Sequence, residues 1–336
     1  MPLAAFSRAV GGLSRCDASG AAGALAGGSA AVAEGPFARD MSGACPLGLA
    51  AAHLIVLRAG RSRVAARRVR LAVVESGAGL AAGAVACGQL GAAVGGGAAG
   101  NLTTTGILSR SSNTGTVILG ERISPKTLNK YFTKFGFGQS TSVDFLGEQS
   151  GYMQDPDTID SVTVHTQTFG QGMSSTMAQM ASAYQAIANG GEKLPLRMMT
   201  GCSQQDGTFD AVDKGDPERV ISESTAKTLI SMLETVPQGG TLQYRVNVPG
   251  YRIAAKTGTA EIAENGVYGN ERMISIAGMV PADDPQFVVV VAFVKPQTNR
   301  FSYAAAPVFD EIVTHLVKHY RIPPSSEQPT LPPITW

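Results

Sequence analysis

A break in residue usage near position 100 constrains this chain more than any other feature. Residues 1–100 contain 29 Ala, 19 Gly and 9 Arg but no Lys, Thr, Asn, Tyr or Trp, all of which occur later. Charge divides at the same place. Nine basic residues against four acidic ones precede the break and 18 against 22 follow it, so the net +1 conceals +5 and −4. Ala/Gly-rich sequence has little side-chain surface to bury, and Gly is costly to order, so the first block reads as low complexity and not as a native domain. The missing types share a trait: Lys, Asn and Thr codons begin with A, and Tyr codons with TA. A GC-rich gene translated out of frame leaves this composition. We therefore read residues 1–100 as aberrant translation, with a genuine Ala/Gly linker as the alternative.

Several functions are disfavoured before any motif is considered. Near-balanced charge argues against a nucleic-acid binder acting through bulk positive potential. The cluster from Arg58 to Arg70 reads as a solvated basic stretch. The apolar run Leu47 to Leu57 is far below the about 20 residues of a membrane helix, and Gly79–Gly100 is mostly Ala and Gly. Cys16, Cys45, Cys87 and Cys202 lack metal-ligand spacing and suggest no disulfide framework. His53, His165, His315 and His319 form no ligand pattern, so neither a metal nor a cofactor is expected.

From Asn101 onward the patterns are those of a folded domain. Ser174–Ser175 supply a serine N-cap before Met177, Met180, Ala181, Tyr184, Ile187 and Ala188 at helical spacing, with Gly190–Gly191 as the stop. Ser222 opens a second helix whose apolar face is Ala226, Leu229, Ile230, Leu233 and Val236. Ile274–Val280 and Phe287–Val294 flank a turn and read as a hairpin, the second strand apolar enough to be covered on both faces. Pro307 starts a final helix, and after Arg321 a Pro-rich, frayed tail is expected. These elements predict an α/β (α+β) domain with an antiparallel sheet flanked by helices.

The chemistry lies in two short segments. Arg252-Ile253-Ala254-Ala255-Lys256-Thr257-Gly258-Thr259-Ala260 reads as a strand lining a cleft for an anionic substrate. Lys256 supplies charge, Thr257 and Thr259 donate hydrogen bonds to a carboxylate, and Gly258 removes a side chain where a ligand must come close. Upstream, Ser111-Ser112-Asn113 with Thr114-Gly115 would alone be an ordinary turn, yet a Ser/Asn pair can relay a proton and hold an amide.

In order, Arg110-Ser111-Ser112-Asn113-Thr114-Gly115, Phe169-Gly170-Gln171-Gly172, Ala188-Asn189-Gly190-Gly191 and Ala255-Lys256-Thr257-Gly258-Thr259-Ala260-Glu261 resemble the transpeptidase domain of class B penicillin-binding proteins of the septal, cell-division type. The resemblance covers about residues 102–322, and the segments Tyr320–Ser325 and Leu331–Trp336 look like actinobacterial members. It implies a β-lactamase/transpeptidase-like serine acyl-transferase fold and peptidoglycan D,D-transpeptidase activity through an acyl-enzyme. Peptidoglycan stem peptides, β-lactams and divisome proteins would be the partners, and the catalytic domain would face outward from the cell membrane. Ser111 resembles the proton-relay serine, Asn113 the substrate-amide contact and Lys256 the electrostatic lysine. Thr257 and Thr259 resemble the carboxylate contacts, and the Thr259 N–H one half of an oxyanion hole. Phe169–Gly172 reads either as part of the cleft floor or as a helix-entry loop.

One motif of the family is missing. Its nucleophile, in Ser-x-x-Lys, belongs some 50 residues or more upstream of Ser111, and no lysine precedes Lys126. The single later match, Ser224-Thr225-Ala226-Lys227, falls between the other motifs, on the face of its helix opposite the apolar one. The family's membrane anchor and amino-terminal pedestal are also not expected in this chain. Residues 101–322 are thus expected to be the carboxy-terminal part of a transpeptidase domain, and 323–336 a tail. Two alternatives stay open: a non-enzymatic divisome scaffold or cell-wall peptide binder, and a β-lactamase-like serine hydrolase.

Overall fold

The structure is a computed structural model describing residues 51–58, 72–75 and 101–336, apart from 142, 144–146, 199–200, 205, 214, 265–266 and 326. Cys16, Cys45, Cys87 and the segment Gly79–Gly100 lie outside these.

The sheet is organised by its most apolar segment. Among the described residues, five strands pair antiparallel in the order β2 (Ala72–Glu75), β1 (Ala51–Arg58), β9 (Phe287–Val294), β8 (Val267–Val280) and β7 (Ala254–Glu264). β9 is buried at every position but its last, as its unbroken apolar run predicts. With a side-chain period of two, Val288 and Val290 join one core cluster with Ala181, Ile187, Ile230 and Leu233. Val289, Val291 and Phe293 take the opposite face, toward helix α7 (Ala306–His319), whose Phe309 ring packs against Gly278 of β8. The expected hairpin Ile274–Val280 to Phe287–Val294 forms in full register, Val280 opposite Phe287 and Met273 opposite Val294.

The sheet reaches back across the boundary expected at residue 101. β1 pairs along its whole length with β9, Ala51 opposite Val294 and Arg58 opposite Phe287, and Leu54 to Leu57 are buried. Whatever the origin of the first block, Leu-Ile-Val-Leu is a sound strand core, and it lies where β9 would otherwise be an exposed edge.

The helices follow their caps. In chain order they are α1 (Thr104–Arg110), α2 (Asn113–Gly120), α3 (Pro125–Phe135), α4 (Ser161–Gln167), α5 (Met177–Ala188), α6 (Glu223–Gly239) and α7. For α5 the cap is Thr176 and not Ser174 or Ser175. Its hydroxyl accepts from the Gln179 N–H, while the Gln179 side chain accepts from the Thr176 N–H, a reciprocal capping box. Ser222 caps α6 as expected. Two short pairings complete the described strands: β3 (Glu192–Lys193) with β6 (Glu218–Arg219), and β4 (Gly201–Ser203) with β5 (Phe209–Ala211). Cys202 in β4 is disulfide-bonded, against the expectation that the cysteines form no disulfide.

The carboxy-terminal tail is not frayed. Ile322 O accepts from the Tyr251 hydroxyl at 2.7 Å, Ser325 N–H donates to Gly250 O at 2.9 Å, and Thr335 bridges Leu102. Proline richness suggests disorder, but restricted φ angles also make a stretched segment inexpensive to immobilise.

One buried ion pair fixes α6 to the approach to β7. Glu234 is 1% exposed and accepts two bonds from Arg252, Nε at 2.8 Å and Nη2 at 2.7 Å. The carboxylate holds the guanidinium pKa above its ordinary value. Breaking such a pair strands a buried charge. Arg252→Met, which leaves the Glu234 carboxylate buried without its partner, is expected to lower stability in urea denaturation by about 3–5 kcal/mol, whereas adding Glu234→Leu recovers most of the loss.

Candidate active site

The Ser-Ser-Asn segment divides its labour at a helix–helix junction. Ser111 ends α1 in a left-handed conformation, φ 53° and ψ 46°, strained for a side chain with a Cβ. Its N–H donates to Leu108 O and that of Ser112 to Ile107 O, closing the helix end. Ser112 caps α2 by accepting from Gly115 N–H at 3.1 Å. Gly115 lets α2 fold onto α1, since a Cβ there would come within 2.7 Å of the Ile107 side chain. Ser112 is therefore structural, while Ser111 and Asn113 line the cleft.

β7 supplies the opposite wall. The Lys256 Nζ donates a short hydrogen bond to Ser111 Oγ and another to its neighbour Thr257 O at 3.0 Å. Thr257 is buried, and its hydroxyl pairs with that of Thr241 at 3.1 Å. Gly258 lines the cleft, but its smallness is needed within the sheet, since a Cβ would meet Ser275 Oγ of β8 at 2.6 Å. Close approach of a ligand is thus not the sole reason for glycine. Thr259 lines the cleft beside it.

The cleft has a volume of about 280 Å³. Ile107, Leu108, Met180, Tyr184 and Met273 contribute apolar surface to it, and Ser111, Asn113, Thr116, Thr168, Lys256, Thr257, Thr259 and Ser275 polar groups. Phe169 lines it too, so the Phe169–Gly172 segment contributes to the cleft while also leading from α4 toward α5. Among the described lining residues none is Asp or Glu. Lys256 therefore faces hydroxyls, an amide and apolar walls. Part of the residue is exposed at the cleft, but the ammonium is enclosed by protein, and this burial pushes its pKa down to about 8. A pocket with an ammonium, several hydroxyl donors and no acid among its described lining residues suits a carboxylate.

Two placements differ from what the motifs alone suggest. Thr241, beyond the Gly239-Gly240 end of α6, belongs to none of the motifs. Its N–H donates to Ser109 O at 3.3 Å and its hydroxyl meets Thr257, so it ties the Ser111 side to the Lys256 side. A Gly-Gly-Thr turn shortly before the strand is its only sequence signal. Ser224, by contrast, is exposed on α6, its hydroxyl 2.9 Å from that of Ser222, with Lys227 paired to Glu223. It does not line the cleft. Among the described residues no three or more His, Cys, Asp or Glu gather to hold a metal, and no helix is long and apolar enough to cross a membrane.

Fold and site define a transpeptidase-type α/β protein. The penicillin binding protein transpeptidase domain matches residues 94–314, and the chain belongs to that family. Penicillin-binding protein PbpB of Mycolicibacterium smegmatis is 36% identical over 245 residues, 69% of this chain and 38% of its own length. The peptidoglycan D,D-transpeptidase FtsI of Escherichia coli K12 is 32% identical over 67% of this chain and 37% of its own length. The chain thus spans little more than a third of these relatives. Among solved structures, a peptidoglycan synthetase from Bifidobacterium adolescentis has a TM-score of 0.75 at 29% identity, covering 86% of this chain and 60% of that one.

Burial of the Lys256 ammonium carries a pH signature. Below pH 8 the lysine is charged in both folded and unfolded chains, and folding bears the cost of burying that charge. Between about 8 and the ordinary 10.5 only the unfolded chain holds the proton, so this cost is relieved as pH rises. Lys256→Met is expected to raise stability at pH 7 by about 1–3 kcal/mol in chemical denaturation, with the gain shrinking toward pH 10.

Proposed function

We propose that this chain carries the substrate-binding and proton-relay side of a septal-type peptidoglycan D,D-transpeptidase, without its acylating serine. The observation that carries this reading is the Lys256–Ser111 hydrogen bond beside Thr257 and Thr259, in a cleft whose described lining residues include no Asp or Glu. A stem peptide ending in a carboxylate would meet the Lys256 ammonium and the threonine hydroxyls. A β-lactam carboxylate would take the same place.

The relay follows from donor and acceptor chemistry. Lys256 donates to Ser111 Oγ, which leaves the Ser111 proton free to move toward a departing amine while Lys256 replenishes it. A lysine titrating near 8 can give and recover a proton near neutral pH. Asn113, on the same rim, would hold the substrate amide. None of this forms an acyl-enzyme, because covalent catalysis needs an activated nucleophile. With no lysine before Lys126, Ser-x-x-Lys cannot precede Ser111 here. In the proposed reading, residues 101–322 form the carboxy-terminal part of the domain together with β1 and β2. The full protein would be membrane-anchored with this domain outside the cytoplasm, working with division proteins.

Labelling with a fluorescent penicillin tests the proposal. The chain as it stands is expected to take no covalent label. Joining it to the in-frame upstream segment of its gene, with Ser-x-x-Lys, is expected to restore labelling. Lys256→Ala in that protein should then slow it by roughly 100-fold. A labelled band from the unaltered chain would overturn the missing-nucleophile reading, and a gene with no continuous alternative frame there would overturn the aberrant-translation reading.

A further inference from the structure

We infer that the carboxy-terminal tail is a positioning strap, holding the helix that presents Ser111 in register with the strand that presents Lys256. The inference rests on the proposed function only for the meaning of that register. The contacts that support it involve no ligand.

At its far end the tail completes the start of α1. Trp336 N–H donates to Asn101 O at 3.0 Å, Thr103 N–H donates to Ile334 O at 3.2 Å, and Leu102 and Thr335 form an antiparallel bridge. The Thr103 hydroxyl caps α1 by accepting from Gly106 N–H at 3.1 Å and donates its own proton to Pro333 O at 2.6 Å. α1 needs this help. It has seven residues; its fully buried ones are Thr105, Gly106 and Ser109, and its larger apolar side chains, Ile107 and Leu108, are only partly buried at the cleft, Leu108 against the core. At its near end the tail grips the approach to β7. Ser325 N–H donates to Gly250 O, and Ser325 Oγ accepts from Arg252 N–H at 3.1 Å and donates to Asp283 at 2.7 Å. Arg252 lies four residues before Lys256. One proline-stiffened segment thus touches the leads to both halves of the Ser111–Lys256 pair.

Gly106 supplies a discriminating variant. A Cβ at this position would lie 1.9 Å from the Ile334 carbonyl oxygen, a backbone atom, so Gly106→Ala evicts the strap. Alanine is also the better helix former, so a loosening of α1 in this variant cannot come from weaker helix propensity. The experiment compares the full chain, Gly106→Ala, and a chain ended after Gln328, by amide hydrogen exchange and by NMR titration of lysine side chains. In both variants, exchange across Ser109–Asn113 is expected to speed up roughly tenfold or more while β9 keeps its protection. Lys256 is expected to titrate about one unit or more higher as its enclosure opens. Unchanged exchange and titration in either variant would overturn the strap, as would a loss of protection shared equally by β9. Neither measurement requires penicillin binding, so failure of the strap and failure of the proposed function are told apart.

Discussion

The hydrogen bond from Lys256 to Ser111 is the contact that the rest of this structure is arranged to hold. It joins residues 145 positions apart, and it places an ammonium among hydroxyls and apolar side chains with no described carboxylate lining the cleft to neutralise it. A charge in such a setting is unfavourable by itself, and the lowered lysine pKa records that cost. Sheet, helix junction and tail together impose the arrangement. Strain at Ser111, left-handed without being glycine, belongs to the same account, since a right-handed residue there would continue the helix past the cleft.

The neighbourhood explains how the arrangement is sustained. β7 is set by its register on β8 and by the buried Arg252–Glu234 pair at its approach. α1 is set by Thr241, which reaches Ser109 on one side and Thr257 on the other, and by the tail at its beginning. β9 needs cover on both faces and both edges, because an exposed run of Val and Phe invites pairing with other chains. β8 supplies one edge and β1 the other, which makes Leu54–Leu57 part of the sheet despite its compositionally odd surroundings.

Much of this was legible in the sequence for local reasons. α5 and α6 announce themselves by apolar spacing, β9 by its unbroken run, and the hairpin by the polar turn between two apolar stretches. Lys256, Thr257, Gly258 and Thr259 are four consecutive residues, so their grouping needs no tertiary information. Other features were hidden because they are made by distant partners or by reciprocal contacts. Thr176 displaces the serines before it as the α5 cap because Gln179 reciprocates. The tail looks frayed in sequence because its partners, Asn101–Thr103 and Gly250–Arg252, lie far away in the chain.

By itself the sequence determined the family, the elements and the residue types of the cleft, since short-range patterning and contiguous motifs are properties of neighbours along the chain. It also shows that the first lysine of the 336 residues is Lys126. Tertiary structure alone decided that Ser111 Oγ meets the Lys256 ammonium while Ser112 caps a helix, that Gly258 answers to Ser275, and that the tail is bound at both ends. The reason is physical: burial, register and hydrogen-bond closure arise between segments remote in sequence, and they exist only once the chain has brought those segments together.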